Sequence, residues 1–169
     1  MNKMRELRIE KITLNIGCGT KVNPDNAKVI LENLTNAKAV ITKTHKRSTF
    51  GVTKGRPIGC KVTIRKNKEE FLNRLLKAKD HKLKKSNFDD TGNVSFGIKE
   101  YIDIPDMDYD PKMGILGFDV CITLERPGYR VKKRRISSKI GKNHLIKKEE
   151  AMEFLKEKFA VVFEEYGGL

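Results

Sequence analysis

Asp103, Asp106, Asp108 and Asp110 stand close together in YIDIPDMDYDP, residues 101–111. Closely spaced carboxylates are what a hard divalent cation takes as ligands. This run lacks the glycine and the distal glutamate of a calcium loop. Its two prolines, with Ile102, Ile104, Met107 and Tyr109 as hydrophobic staples, read instead as an extended surface segment. The histidines His45, His81 and His144 are far apart in the chain and none has a cysteine at ligand spacing. Cys18, Cys60 and Cys121 are odd in number, lack CxxC spacing and sit among small or apolar residues, the pattern of reduced, buried thiols rather than of zinc ligands. NIGCGT (15–20) opens like a dinucleotide fingerprint, but Val22 occupies the third glycine position; GVTKGRPIG (51–59) lacks the residue order of a phosphate-cradling loop. Neither a Ser–His–Asp nor a Cys–His arrangement is present. No catalytic residue, metal or cofactor is expected, and a basic nuclease, which needs a pocket of perturbed acids or histidines, is disfavoured.

The remaining chemistry is cationic. The 169 residues carry a formal net charge of +14, more than solubility requires, and this implies an anionic partner. The charge is concentrated in two blocks. Residues 38–66 hold nine Lys or Arg and no acid; residues 125–148 hold ten bases and only Glu125. Residues 89–110 run the other way, with one base and seven acids. A single basic block is as readily a solvated, self-repelling loop. Two such blocks, both rich in turn residues and both flanked by regular structure, match the charge density of a nucleic-acid backbone.

The elements that carry these residues follow from periodicity. Ile12, Leu14 and Ile16 alternate with Lys11, Thr13 and Asn15, the period of a strand with one apolar face. Leu7 and Ile9 have the opposite parity, which predicts a bulge or break near Glu10–Lys11. Asn23 caps a helix with Pro24 at its first position and Ala27, Ile30, Leu31 and Leu34 along its inner stripe. Residues 39–44 read as a short strand. In residues 59–65, Cys60, Val62 and Ile64 face one way and Lys61, Thr63 and Arg65 the other. Asn67 is expected to cap a second helix that buries Phe71, Leu72, Leu75 and Leu76. Residues 86–98 read as a turn feeding a strand. Residues 114–125 form another, with Leu116, Phe118, Val120, Ile122 and Leu124 inward. A last helix from about 147, without a good capping residue, buries Ala151, Phe154, Leu155, Phe159 and Val162.

Strands with one apolar face need helices on that face only. The expected fold is therefore α+β: two layers, a mostly antiparallel sheet with helices on one face, and long basic loops. One domain spanning 1–169 is expected, with basic loops at about 45–58 and 126–146. The other sheet face would present Lys11, Thr13, Asn15, Lys61, Thr63 and Arg65 in rows, able to meet phosphates, ribose hydroxyls and base edges together. Polar faces of antiparallel sheets are also commonly just solvated. No run approaches the roughly 18 apolar residues of a membrane span, and the N-terminus lacks the apolar stretch of a secretory signal; no membrane association and a cytosolic location are expected.

KITLNIGCG, TKTHKRSTFGVTKGRPIGCKVTIR and FDDTGNVSFGIKEYIDIPDMDYDP resemble, in order and spacing, the family-five proteins of the large ribosomal subunit, which bind 5S rRNA. ERPGYRVKKRR, IGKNH and KKEEAMEFLKEKF, with a start close to the first strand, resemble its archaeal and eukaryotic branch. The resemblance implies a place in the central protuberance, with 5S rRNA held on the exposed sheet face and Lys11, Asn15 and Thr63 at the matching positions. Where many members have a Thr-Gly-Gln-Lys-Pro turn, this chain has Thr35-Asn36-Ala37-Lys38-Ala39; Ala37 cannot make the glutamine's contact, which leaves Asn36 or Lys38. The rRNA contacts expected are Lys11, Thr13, Asn15, Lys38, Lys61, Thr63 and Arg65, then Arg126, Arg130, Lys132, Lys133, Arg134 and Arg135. The loop 45–57 matches the one that reaches peptidyl-site tRNA. There His45, Lys46, Arg47, Lys54 and Arg56 would meet phosphates, while Phe50, Gly51 and Gly55 would shape the loop or let its backbone approach RNA, and the loop is expected to be mobile without tRNA. Other implied partners are large-subunit rRNA, neighbouring ribosomal proteins and a small-subunit head protein, the last against the acidic 103–110 segment. No homo-oligomer is expected. The second basic block should leave the strand at Arg126-Pro127-Gly128, bend back at Gly141, and become ordered only against rRNA.

Overall fold

The structure is a computed structural model that describes residues 2–19, 22–47, 52–105 and 107–164. Among these, a short 3₁₀ turn at Lys3–Arg5 precedes β1 (Arg8–Gly17); α1 (Pro24–Thr35), β2 (Val40–Lys43), β3 (Pro57–Ile64), α2 (Lys68–Lys77) and β4 (Lys82–Lys84) follow. Then come β5 (Val94–Ile98), β6 (Phe118–Glu125), α3 (Lys148–Phe159) and β7 (Val162–Glu164). Five strands form one sheet in the order β2-β3-β1-β6-β5, every neighbouring pair antiparallel; β4 and β7 pair separately and in parallel. The α+β expectation holds.

β1 lies at the centre because its apolar alternation is the longest and is flanked on both sides. Ile12 and Leu14 are completely buried, opposite Ile64 and Val62 on β3 and Ile122 and Val120 on β6. Each such side chain contributes about 1.5–3 kcal/mol by leaving water. The predicted change of parity is a register shift between Ile9 and Lys11. It frees the carbonyls of Ile9 and Glu10, and the Lys68 ammonium, at the start of α2, donates to both.

The helices close one face of the sheet. Asn23 Oδ1 accepts from Asp25 N–H at 3.0 Å, so α1 begins as expected, and Ala27, Ile30, Leu31 and Leu34 are its buried stripe. α2 buries Phe71, Leu72, Leu75 and Leu76, but Asn67 does not cap it with its side chain. Asn67 adopts a left-handed backbone (φ 46°) that turns the chain from β3 into the helix. At α3, Glu150 accepts the Lys147 N–H at 3.0 Å, half of a capping box in place of the missing polar cap.

Two details read from the sequence are corrected. Leu116 does pack, half-buried, against the core, but it precedes β6, which begins at Phe118 and not at 114. Val162 is exposed and Val161 buried instead. The chain turns through left-handed Ala160 (φ 51°) immediately after α3, so the helical period ends there and β7 starts a new one.

Candidate nucleic-acid interface

On the face away from the helices, the register decides which polar side chains stand side by side. Thr13 is opposite Thr63 on β3, and Asn15 is opposite Lys61. Four of the residues expected there, with Lys11, therefore share one uncovered surface. Arg65 is exposed one residue beyond β3. β6 completes the surface from the other side: Thr123 pairs with Lys11, Cys121 with Thr13 and Asp119 with Asn15. β5 adds Ser95 opposite Cys121 and Gly97 opposite Asp119. The face is thus a polar strip with lysines at its rim, hydroxyls and a thiol in its middle, and one carboxylate, Asp119, in the row of Asn15 and Lys61. Sequence reading missed Asp119 and Thr123 and took Cys121 for a buried thiol, whereas Cys121 is exposed; all three become neighbours of β1 only through the sheet order. Their outward parity in β6 was the available signal. Partial desolvation, and then the nearby Asp119 charge, push the Cys121 thiol above its ordinary range.

The turn after α1 is tied from within. Thr35 Oγ1 donates to the Leu31 carbonyl at 2.7 Å and accepts the Ala37 N–H at 3.3 Å; Glu32 accepts the Ala39 N–H at 3.0 Å. Asn36, left-handed at φ 50°, and Lys38 are both exposed beside the sheet. In the first basic loop, Thr44 donates to the Thr53 carbonyl at 2.7 Å, and Thr44 N–H to the Arg56 carbonyl at 3.0 Å, which pins the loop's base. His45, Lys46, Arg47, Lys54 and Arg56 are exposed around that base, and Gly55 turns at φ 83°. Phe50 and Gly51 lie outside the described residues.

The second basic block differs from expectation: it is folded onto the protein's own scaffold. Arg126 is 5% exposed, and its guanidinium donates to the carbonyls of His144 and Leu145 and to Glu150 at 2.8 Å. Tyr129 Oη donates to the His144 carbonyl and accepts the Ile146 N–H, both at 3.1 Å. The two feet of the segment are thereby latched to each other. Arg126 is a structural pin and leaves the set of RNA contacts. The turn at Gly128 is as expected (φ 97°), whereas Gly141 bends without a positive φ (−59°). Lys133 pairs with Glu10 and, at 3.6 Å, with Glu125, while Arg134 donates to the Ile136 carbonyl at 2.8 Å. Arg130, Lys132 and Arg135 are exposed.

In the acidic segment, buried Tyr101 accepts the Asp110 N–H at 3.1 Å and Arg74 donates to the Pro105 carbonyl. Ile104 is buried, Ile102 and Met107 are half-buried, and Asp103, Asp108 and Tyr109 face solvent; Asp106 lies outside the described residues. Among the described residues, no three His, Cys, Asp or Glu side chains are grouped to hold a metal ion, and no helix is long and apolar enough to cross a membrane.

Comparison with known proteins adds an independent line. Residues 2–52 match the family model described as ribosomal protein L5, and residues 57–154 match the model of the same ribosomal family's C-terminus. A protein of Sulfurisphaera tokodaii named large ribosomal subunit protein uL5 is 51% identical over 98% of this chain and 96% of its own length. Proteins of the same name from Sulfolobus acidocaldarius and Methanosphaera stadtmanae are 47% and 42% identical, over 95% and 97% of the chain and 92% and 100% of their own lengths.

Proposed function

The chain belongs to the ribosomal L5 family, and from that premise we propose that it is a non-catalytic, structural constituent of the large ribosomal subunit. It works in the cytoplasm, within the ribosome, and holds 5S rRNA against its uncovered sheet face. The observation that carries this reading is the register of that face: Lys11, Thr13 and Asn15 stand beside Lys61 and Thr63. Lysines at the rim supply phosphate contacts, which position an RNA but do not read it. The hydroxyls and the Asn15 amide supply contacts to ribose and base edges, which do. Asp119 in the same row repels phosphates and accepts from base amino groups, so it turns that row towards bases.

The rest of the surface divides by charge. Lys38, Arg65, Arg130, Lys132, Arg134 and Arg135 extend the 5S contact and meet large-subunit rRNA in the central protuberance. The loop 45–58, with His45, Lys46, Arg47, Lys54 and Arg56, reaches peptidyl-site tRNA. The acidic 103–110 segment faces a basic protein of the small-subunit head across an intersubunit bridge. The chain acts as one domain, since β1 from the first matched region lies between β3 and β6 from the second.

The test is a footprint of the whole chain on 5S and large-subunit rRNA together, repeated with Asn15→Ala and Thr63→Ala. Both variants are expected to fold normally, to lose 5S affinity and to weaken protection on 5S rRNA first. Unchanged protection with both variants would sink the assignment of the sheet face.

A further inference from the structure

Where the latched basic segment crosses the sheet, it does not touch the strands throughout. A cleft of about 670 Å³ separates them, within the range of roughly 300–1,000 Å³ of pockets that hold small organic groups. Its floor is the end of the polar sheet face, with Ser95, Cys121 and Thr123; one wall is the basic segment, with Tyr129, Ile140 and Leu145, and another is the loop before β5, with Phe88, Asp89 and Asn93. From the chemistry of this lining we propose that the cleft is a pocket for one unpaired nucleotide of the bound RNA, extruded from its strand. The proposal rests on the RNA-binding reading above and adds to it a defined subsite.

Three features select that occupant. The floor carries no cation, so it is not a phosphate seat, and its neutral hydroxyls and thiol match the donors and acceptors of a base edge. Opposite it, apolar groups offer the flat face of a base an apolar partner, the arrangement by which unpaired bases are read. Cations lie at the margins: Lys11 beside Thr123 on the sheet, and exposed Lys132 on the segment above. They suit the phosphates that flank an extruded nucleotide. Lys133, the third lysine along the cleft, is already paired with Glu10 and Glu125 and closes the β1 side. A duplex cannot enter, because the segment above is tied foot to foot by Arg126 and Tyr129 to His144, Leu145 and Ile146.

The floor also supplies a reporter, since Cys121 is exposed while Cys18 and Cys60 are buried. The full chain is bound to 5S rRNA, and separately to large-subunit rRNA, in preparations where each base in turn is replaced by a photoreactive analogue. After irradiation, adducts are mapped by peptide. At least one preparation is expected to give base adducts on Cys121 or on Tyr129 and Leu145. Cys121→Phe and Ser95→Phe, each filling the floor at an exposed strand position, are expected to reduce those adducts at least tenfold with melting temperatures unchanged. Normal RNA binding with base adducts only outside the cleft, in every preparation and regardless of the filling variants, would overturn the proposal and leave the RNA-binding reading intact. Failure of the parent chain to bind either RNA would overturn both.

Discussion

Arg126 shows how one residue's role is set by parity before charge. Phe118, Val120, Ile122 and Leu124 point inward at every second position, and Arg126 is the next in that series. Counted with its basic neighbours, it reads as an RNA contact; counted along the strand, it reads as buried. Burial wins because Glu150 and two carbonyls supply acceptors for the charge. Arg126→Met should therefore lower stability by about 2 kcal/mol, the scale of hydrogen bonds to a charged group, taken at the modest end because the Glu150 side chain is 39% exposed. A fall in melting temperature of roughly 4–8 °C is the readout. Its pH dependence follows from Glu150. Burial alone would raise that carboxyl, but hydrogen bonds from Lys147 N–H and Arg126, with the Arg126 charge, outweigh it and lower it from 4.5. A depressed folded value gives stability that is present above about 4.5 and is lost as pH falls through the folded value. The gap in melting temperature between parent and Arg126→Met should thus narrow below pH 4.5 in melts run from pH 7 to pH 3. Cys121 gives a second residue-scale test. One thiol per chain should react in the native state and three after denaturation, and Asp119→Asn should speed the native reaction by lowering the thiol's raised pKa.

At the scale of elements, the long alternating strands and the helical stripes were legible because each repeats its period several times. β1, α1, β3 and α2 emerge close to where the pattern puts them, β6 starts at Phe118 and not at 114, and even the irregularity in β1 is written in the changed parity of Leu7 and Ile9. β4 and β7 were not legible: each has three residues, too few to show a period, and their pairing is parallel and distant in sequence. The folded second basic block was hidden for a different reason. Its order comes from scattered anchors, Tyr129, His144 and Ile146, within a segment whose composition otherwise resembles a solvated loop. Gly92 tests that anchoring from the partner side. It turns between Phe88 and β5 at φ 78°, and a β-carbon there would stand 2.5 Å from Ile146 Cγ2. Gly92→Ala should cost about 2 kcal/mol through backbone strain and the displaced isoleucine, seen as an earlier denaturation midpoint. Gly55→Ala, also at a positive φ but with open space around its β-carbon, should cost less.

On the proposed function, the molecule separates stability from recognition by face. The helices and the apolar side of the sheet share one core, and the polar side is the one proposed to meet RNA. The net charge of +14 favours any polyanion, so charge by itself does not distinguish one RNA from another. Specificity has to come from the neutral groups between the lysines, Thr13, Asn15 and Thr63, and from Asp119 among them. Lys61→Gln should weaken all RNA binding evenly and flatten the salt dependence by about one phosphate contact, a change of roughly 0.7–0.9 in slope. Asn15→Ala and Thr63→Ala should leave that slope unchanged and cost about 1 kcal/mol each. The most direct measurement is equilibrium binding of the parent chain and these three variants to 5S rRNA and to an unrelated RNA of equal length, across a salt series. Tighter binding to 5S rRNA is expected at every salt concentration, with the preference reduced by Asn15→Ala and Thr63→Ala and retained by Lys61→Gln. Equal affinity for both RNAs, with all three variants altering them alike, would contradict it.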